Sequence, residues 1–108
     1  MVQQNIDKII SNYLTKNIVF SEENLLATKL SLLDTLGCIY NASTYEDPMR
    51  FATRGKYGSN TNPFLVINDM QSSKEITRYL SILTRWFDYN DTFLAKEWAH
   101  PSDNIGTA

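Results

Sequence analysis

The chain has 108 residues, 43% hydrophobic and 20% charged, a balance of ordinary globular domains that excludes disordered and collagen-like classes. Ten Lys and Arg stand against twelve Asp and Glu, and a formal charge of −2 leaves no broad positive field for nucleic acid. No basic segment leads into an apolar run, no stretch approaches the ~18 apolar residues of a membrane span, and the single cysteine, Cys38, excludes an internal disulfide or a thiolate-held iron–sulfur cluster within this chain. These features predict one soluble, non-secreted domain with no membrane partner.

From Gln3 to about Asn17, Ile6, Ile9, Ile10, Tyr13 and Leu14 follow helical spacing, which predicts an amphipathic helix. Ser21 before Glu22 and Glu23 offers an N-cap and two carboxylates at the positive end of a second helix over Leu25 to Tyr40. Its apolar residues occupy two adjacent stripes, so it is expected to be covered on more than one side and to form the centre of the fold. Gly37 is expected where another backbone comes close, and Cys38 reads as a small core residue.

Asp47-Pro48 is expected to open a third, shorter helix running to about Tyr57. A turn-rich connection over 58–63 follows, and then the apolar run Phe64 to Ile67, read as one short strand or extended segment without a visible partner. Ser72 and Glu75 have capping-box spacing. They start a fourth helix, carried by Ile76, Tyr79, Leu80, Leu83 and Phe87 and expected to end near Tyr89. The fold class is therefore all-α, about four helices with one short extended segment.

The last twenty residues bring together Asp88, Asp91, Thr92 and the only histidine, His100. If the fourth helix continued, Asp88 and Thr92, four apart, would share a face. His100 falls in a loop, where an imidazole can carry protons at neutral pH. Ser102-Asp-Asn104 is expected to cap a new helix whose first amides favour an anionic ligand. Each feature also has a structural reading. A lone histidine more often packs or caps, Asp88 and Asp91 can simply end a helix, Thr92 can bond local backbone, and Ser102 can cap without touching a ligand. Arg85 and Lys96 read as solvated charges rather than carboxylate clamps. A metal site from His100, Asp88 and Asp91 would lack the histidine-rich set usual for hydrolytic zinc, so no metal or other cofactor is expected.

Asp88-Tyr-Asn-Asp-Thr92 followed by His100-Pro-Ser-Asp-Asn104, with Leu94-Ala-Lys-Glu-Trp98 between them, is similar to the DFNDT and HPSDN signature of the MmgE/PrpD family. Leu33-Asp-Thr-Leu-Gly37 resembles a second signature, in the order the family requires. The resemblance covers most of the chain. It implies a helical amino-terminal region and metal-independent dehydration of a tricarboxylate, 2-methylcitrate, in propionate catabolism. On this reading His100 and Asp88 are catalytic, and Thr92, Asp91 and Ser102 bind substrate.

The segment from Ile76 to Trp86 departs from the small residues of many relatives, and the family's enzymes are several times longer, drawing further histidine, lysine and tyrosine from regions absent here. A chain inactive alone is therefore expected, partnered as a homodimer or by a missing carboxy-terminal portion, and located in the cytoplasm or, in a eukaryote, the mitochondrial matrix. The alternatives are a non-catalytic helical interaction module or truncated remnant, and an enzyme of cis-aconitate decarboxylation or another polycarboxylate reaction. A long exposed apolar patch would favour the interaction module.

Overall fold

The computed structural model describes residues 5–108, so Gln3 and Gln4 of the first predicted helix lie outside the described residues. Four α-helices follow in order: α1 (Ile6–Thr15), α2 (Glu22–Ser43), α3 (Glu46–Ala52) and α4 (Ser73–Arg85). Two short 3-10 turns, Val66–Asp69 and Pro101–Asn104, complete the list. Among the described residues no helix is long and apolar enough to cross a membrane.

The starts of α2 and α4 follow the predicted capping chemistry; the Asn5 cap of α1 was not foreseen, and α3 starts at Glu46, ahead of Asp47-Pro48, with no side-chain cap. Asn5 accepts from the Asp7 amide (3.0 Å) to open α1, and Ser21 accepts from the Asn24 amide (3.1 Å) to open α2. At α4 the Ser72 cap forms as expected, while Glu75 reaches back past the N-cap to the residue before it. Ser72 Oγ accepts from the Glu75 amide at 3.2 Å while the Glu75 carboxylate accepts from the Gln71 amide, also at 3.2 Å.

The core lies where the carboxy-terminal half of α2 meets α3 and α4. Ile39 and Ala42 from α2, Met49 and Ala52 from α3, Val66, and Tyr79 and Leu83 from α4 form one buried cluster. Tyr79 is fully buried, its hydroxyl donates to the Pro63 carbonyl at 2.7 Å, and burial pushes its pKa up to about 12. This bond fixes the loop over 58–63 against α4. Arg78 donates from its guanidinium to the Ala52 carbonyl (3.0 Å), covering the carbonyl end of α3.

Several expectations are corrected. Cys38 is buried as predicted, yet α2 is not covered along its length, and Leu25, Leu26, Leu30 and Leu33 remain exposed. A Cβ built on Gly37 would meet open space, so no backbone approaches there. The close approach is instead at Gly106, where a Cβ would lie 2.8 Å from Ser81 Oγ on α4. Helix α3 ends at Ala52 rather than Tyr57, because Arg54 (φ 55°) and Gly55 (φ 80°) take left-handed conformations that a helix cannot continue through. The run Phe64 to Ile67 passes through a turn into a 3-10 segment rather than a strand. Among the described residues no strand edge pairs with it, and local i to i+3 bonds such as Asn68 N to Leu65 O (3.1 Å) satisfy it instead.

Candidate functional site

Helix α4 stops at Arg85, four residues short of the predicted end. The cause is Asp88, whose φ of 56° is left-handed and whose amide turns back to the Arg85 carbonyl at 3.0 Å. Aspartate tolerates this region better than most residues, but the conformation remains sparsely populated and such positions concentrate at functional sites. Asp88 and Thr92 consequently do not share a helix face. What brings them together is the chain reversal that follows.

Phe93 and Ala99 exchange backbone hydrogen bonds (2.8 and 3.1 Å) as an isolated antiparallel bridge, closing a loop over 94–98 and returning the chain to residues 91 and 92. His100 Nδ1 then lies 2.8 Å from the Asp91 carbonyl and 3.2 Å from Thr92 Oγ1. A carbonyl only accepts, so this contact requires the ring proton on Nδ1, and Nε2 of the neutral ring is left as the basic nitrogen. Nε2 faces Asp88 Oδ1 at 4.0 Å, and the His100 side chain is 11% exposed against 71% for Asp88. Trp98 meets the imidazole edge-on, with ring centres 5.5 Å apart.

Asp91 faces inward. One carboxylate oxygen accepts from the Ser102 amide (3.0 Å) and the other from the Ser31 hydroxyl (2.8 Å) of α2. Burial works to raise its pKa. The bonds from Ser102 and Ser31, with His100 nearby, outweigh that and hold the carboxyl below its ordinary value. The amide expected to greet an external anion is thus occupied by this internal one. The segment over 101–104 is a single 3-10 turn, with His100 at its N-cap and no side-chain cap bond.

The predicted residues therefore divide. His100, Asp88 and Thr92 converge around the imidazole; Asp91 contributes its carbonyl to the ring and its carboxylate to the interior; Ser102 is 1% exposed. Its hydroxyl accepts from Asn90 Nδ2 at 2.7 Å. Sequence reading missed three participants. Arg85, read as a solvated charge, pairs with Asp88 (2.9 Å) and also reaches Asp103 (3.6 Å) and Asn90 Oδ1 (3.2 Å). Asn90 is 2% exposed. Ser31 ties α2 to the loop from 60 residues away. Its signal was present: Ser31 and Thr35 are polar, one turn apart in a leucine-rich helix, and Thr35 Oγ1 donates to the Ser31 carbonyl at 2.8 Å.

Beside Asp91 an open groove of about 570 Å³ runs between α2 and the second 3-10 turn, lined by Ala27, Ser31, Leu32, Pro101 and Ile105. Among the described residues no group of three or more His, Cys, Asp or Glu side chains is arranged to hold a metal ion.

The chain matches the MmgE/PrpD N-terminal domain family over residues 8–108. It is 32% identical over 108 residues to a probable 2-methylcitrate dehydratase of Saccharomyces cerevisiae, covering 94% of this chain and 21% of that protein. The 2-methylcitrate dehydratase of Salmonella typhi is 30% identical over 110 residues, covering 94% of this chain and 20% of the relative. A mitochondrial 2-methylcitrate dehydratase of Yarrowia lipolytica is 29% identical over 114 residues, with 94% and 21% covered. The chain thus spans about a fifth of the length of these relatives. No solved structure matches it.

Proposed function

The chain belongs to the MmgE/PrpD family, and from that premise we propose that it forms one wall of a hydro-lyase site that converts 2-methylcitrate to 2-methyl-cis-aconitate and water. The observation that supports this reading is the convergence of Asp88 and Thr92 on the His100 imidazole, whose Nε2 lies 4.0 Å from Asp88 and makes no hydrogen bond among the described residues.

In the reaction a base removes a proton from the carbon next to a carboxylate, the carbon–carbon double bond forms, and the hydroxyl on the neighbouring carbon leaves as water after receiving a proton. His100 Nε2 is the proton-carrying atom on this chain. A proton taken up at Nε2 points toward the Asp88 carboxylate, 4.0 Å away. Two legs of about 2.8 Å span the gap between them, so one substrate hydroxyl can bond both groups. Thr92 holds the far side of the ring. Positive charge for the substrate carboxylates and the developing aci-carboxylate is required as well. Arg85 is already paired with Asp88 and Asp103, so on this reading those clamps come from protein outside this chain and the chain is inactive alone. Residence in the cytoplasm, or in the mitochondrial matrix of a eukaryote, accompanies this reading.

A second reading, a non-catalytic helical interaction module, is favoured by the exposed apolar residues of α1 and the first half of α2. One experiment separates the two. The chain is mixed with 2-methylcitrate, alone and with the remaining four-fifths of a family dehydratase, and the unsaturated product is followed by ultraviolet absorbance. Turnover restored by the added portion and lost in His100→Ala supports the lyase reading. Complementation that survives His100→Ala sinks it.

A further inference from the structure

We propose that Arg85 and Asn90 act together as positioning residues, fixing the tautomer and aim of His100 without touching substrate. The proposal rests on the lyase reading for its functional meaning, but not for its structural content. The His100–Asp91 contact joins two chain segments, one leaving α4 over 88–91 and the other entering the 3-10 turn over 100–103. The segment over 88–91 has no regular secondary structure, and besides the Phe93–Ala99 bridge and the Ser102 amide's bond to Asp91, the side chains of Arg85 and Asn90 set its spacing from the second segment.

Arg85 projects from the last turn of α4 and reaches three acceptors with one planar group. Its terminal nitrogen bonds Asp88 Oδ1 (2.9 Å) and Asn90 Oδ1 (3.2 Å) on the first segment, and Nε lies 3.6 Å from Asp103 Oδ1 on the second. Asn90 completes the crossing. With Oδ1 committed to Arg85, its Nδ2 donates to Ser102 Oγ (2.7 Å) and Asp103 Oδ1 (3.2 Å). Asn90 is buried and all its polar atoms have partners, which gives the amide one orientation. Each group of the site is then within two residues of a clamped position. Asp88 is held directly, the Asp91 carbonyl follows Asn90, and His100 precedes Ser102 by two residues. Arg85 has a second effect, since by pairing with Asp88 it holds that carboxylate 4.0 Å from Nε2.

The chain's single histidine makes the test direct, because ring-nitrogen chemical shifts report one imidazole. In the parent chain at alkaline pH the neutral ring carries its proton on Nδ1. In Arg85→Gln and Asn90→Ala the Nδ1–H to Nε2–H ratio falls about fivefold, the bias supplied by one ordinary hydrogen bond. Arg85→Lys, which reaches one acceptor rather than three, gives an intermediate ratio. Backbone circular dichroism is recorded on each variant to establish that it is folded. A parental ratio in the folded variants overturns the proposal, and so does unfolding of all three, which would assign the pair to holding the fold. The ring signal needs no substrate, so failed complementation with 2-methylcitrate sinks the lyase reading alone, whereas an unchanged tautomer sinks the positioning role alone.

Discussion

Asp91 shows how one side chain can answer to structure and site together. Its carboxylate binds the Ser102 amide and the Ser31 hydroxyl, while its carbonyl holds the His100 ring. Because its folded-state pKa is depressed, the carboxylate contributes stability above the ordinary carboxylate pKa of about 4 that is lost as pH falls through the lower folded value. Asp91→Asn should therefore flatten the acid limb of the stability curve below about pH 4 while lowering stability at pH 7, as read from urea unfolding across pH. An unchanged acid limb would show that the carboxylate does not titrate as described. The identities of Asp88, Thr92 and His100 were legible as letters, but how they meet was not. A left-handed backbone at Asp88 and a reversal bridged by Phe93 and Ala99 are tertiary outcomes that no periodicity announces.

At the scale of elements, local rules worked where local chemistry decides. The caps at Ser21 and Ser72 mark their helices because a side-chain oxygen beside an orphan amide needs no tertiary partner. Burial followed different logic. Leucine spacing on α2 promised a covered helix, yet periodicity shows only which faces can be buried, not which neighbours are present. The same reasoning orders two substitutions. Leu83 on α4 is 1% exposed, so Leu83→Ala should cost about 3 kcal/mol through lost transfer energy and a cavity. Leu14 on α1 is 74% exposed, and Leu14→Ala should change stability by less than about 0.5 kcal/mol. Thermal and denaturant unfolding of the two variants measures this contrast, and comparable losses would mean that α1 is packed in solution.

Taken whole, the molecule is elongated, 56 × 28 × 26 Å, with a radius of gyration of 17.2 Å. A compact chain of this length would have about 13 Å. The excess reflects where the core lies. None of α1's residues is buried, and the chain over 16–21 that joins it to α2 is almost wholly exposed. On the lyase reading proposed above, the apolar α1 stripe is surface that the rest of a larger arrangement covers. The elongated form also has a consequence for handling. Lys16, at the α1 C-cap, lies in that exposed connection, where a protease can draw backbone into its cleft without first breaking the core. Brief trypsin digestion should cut after Lys16, and the product nicked there should melt where the parent does. Should the cut instead shift the melting temperature, the helix ahead of it carries stability that its bare surface conceals.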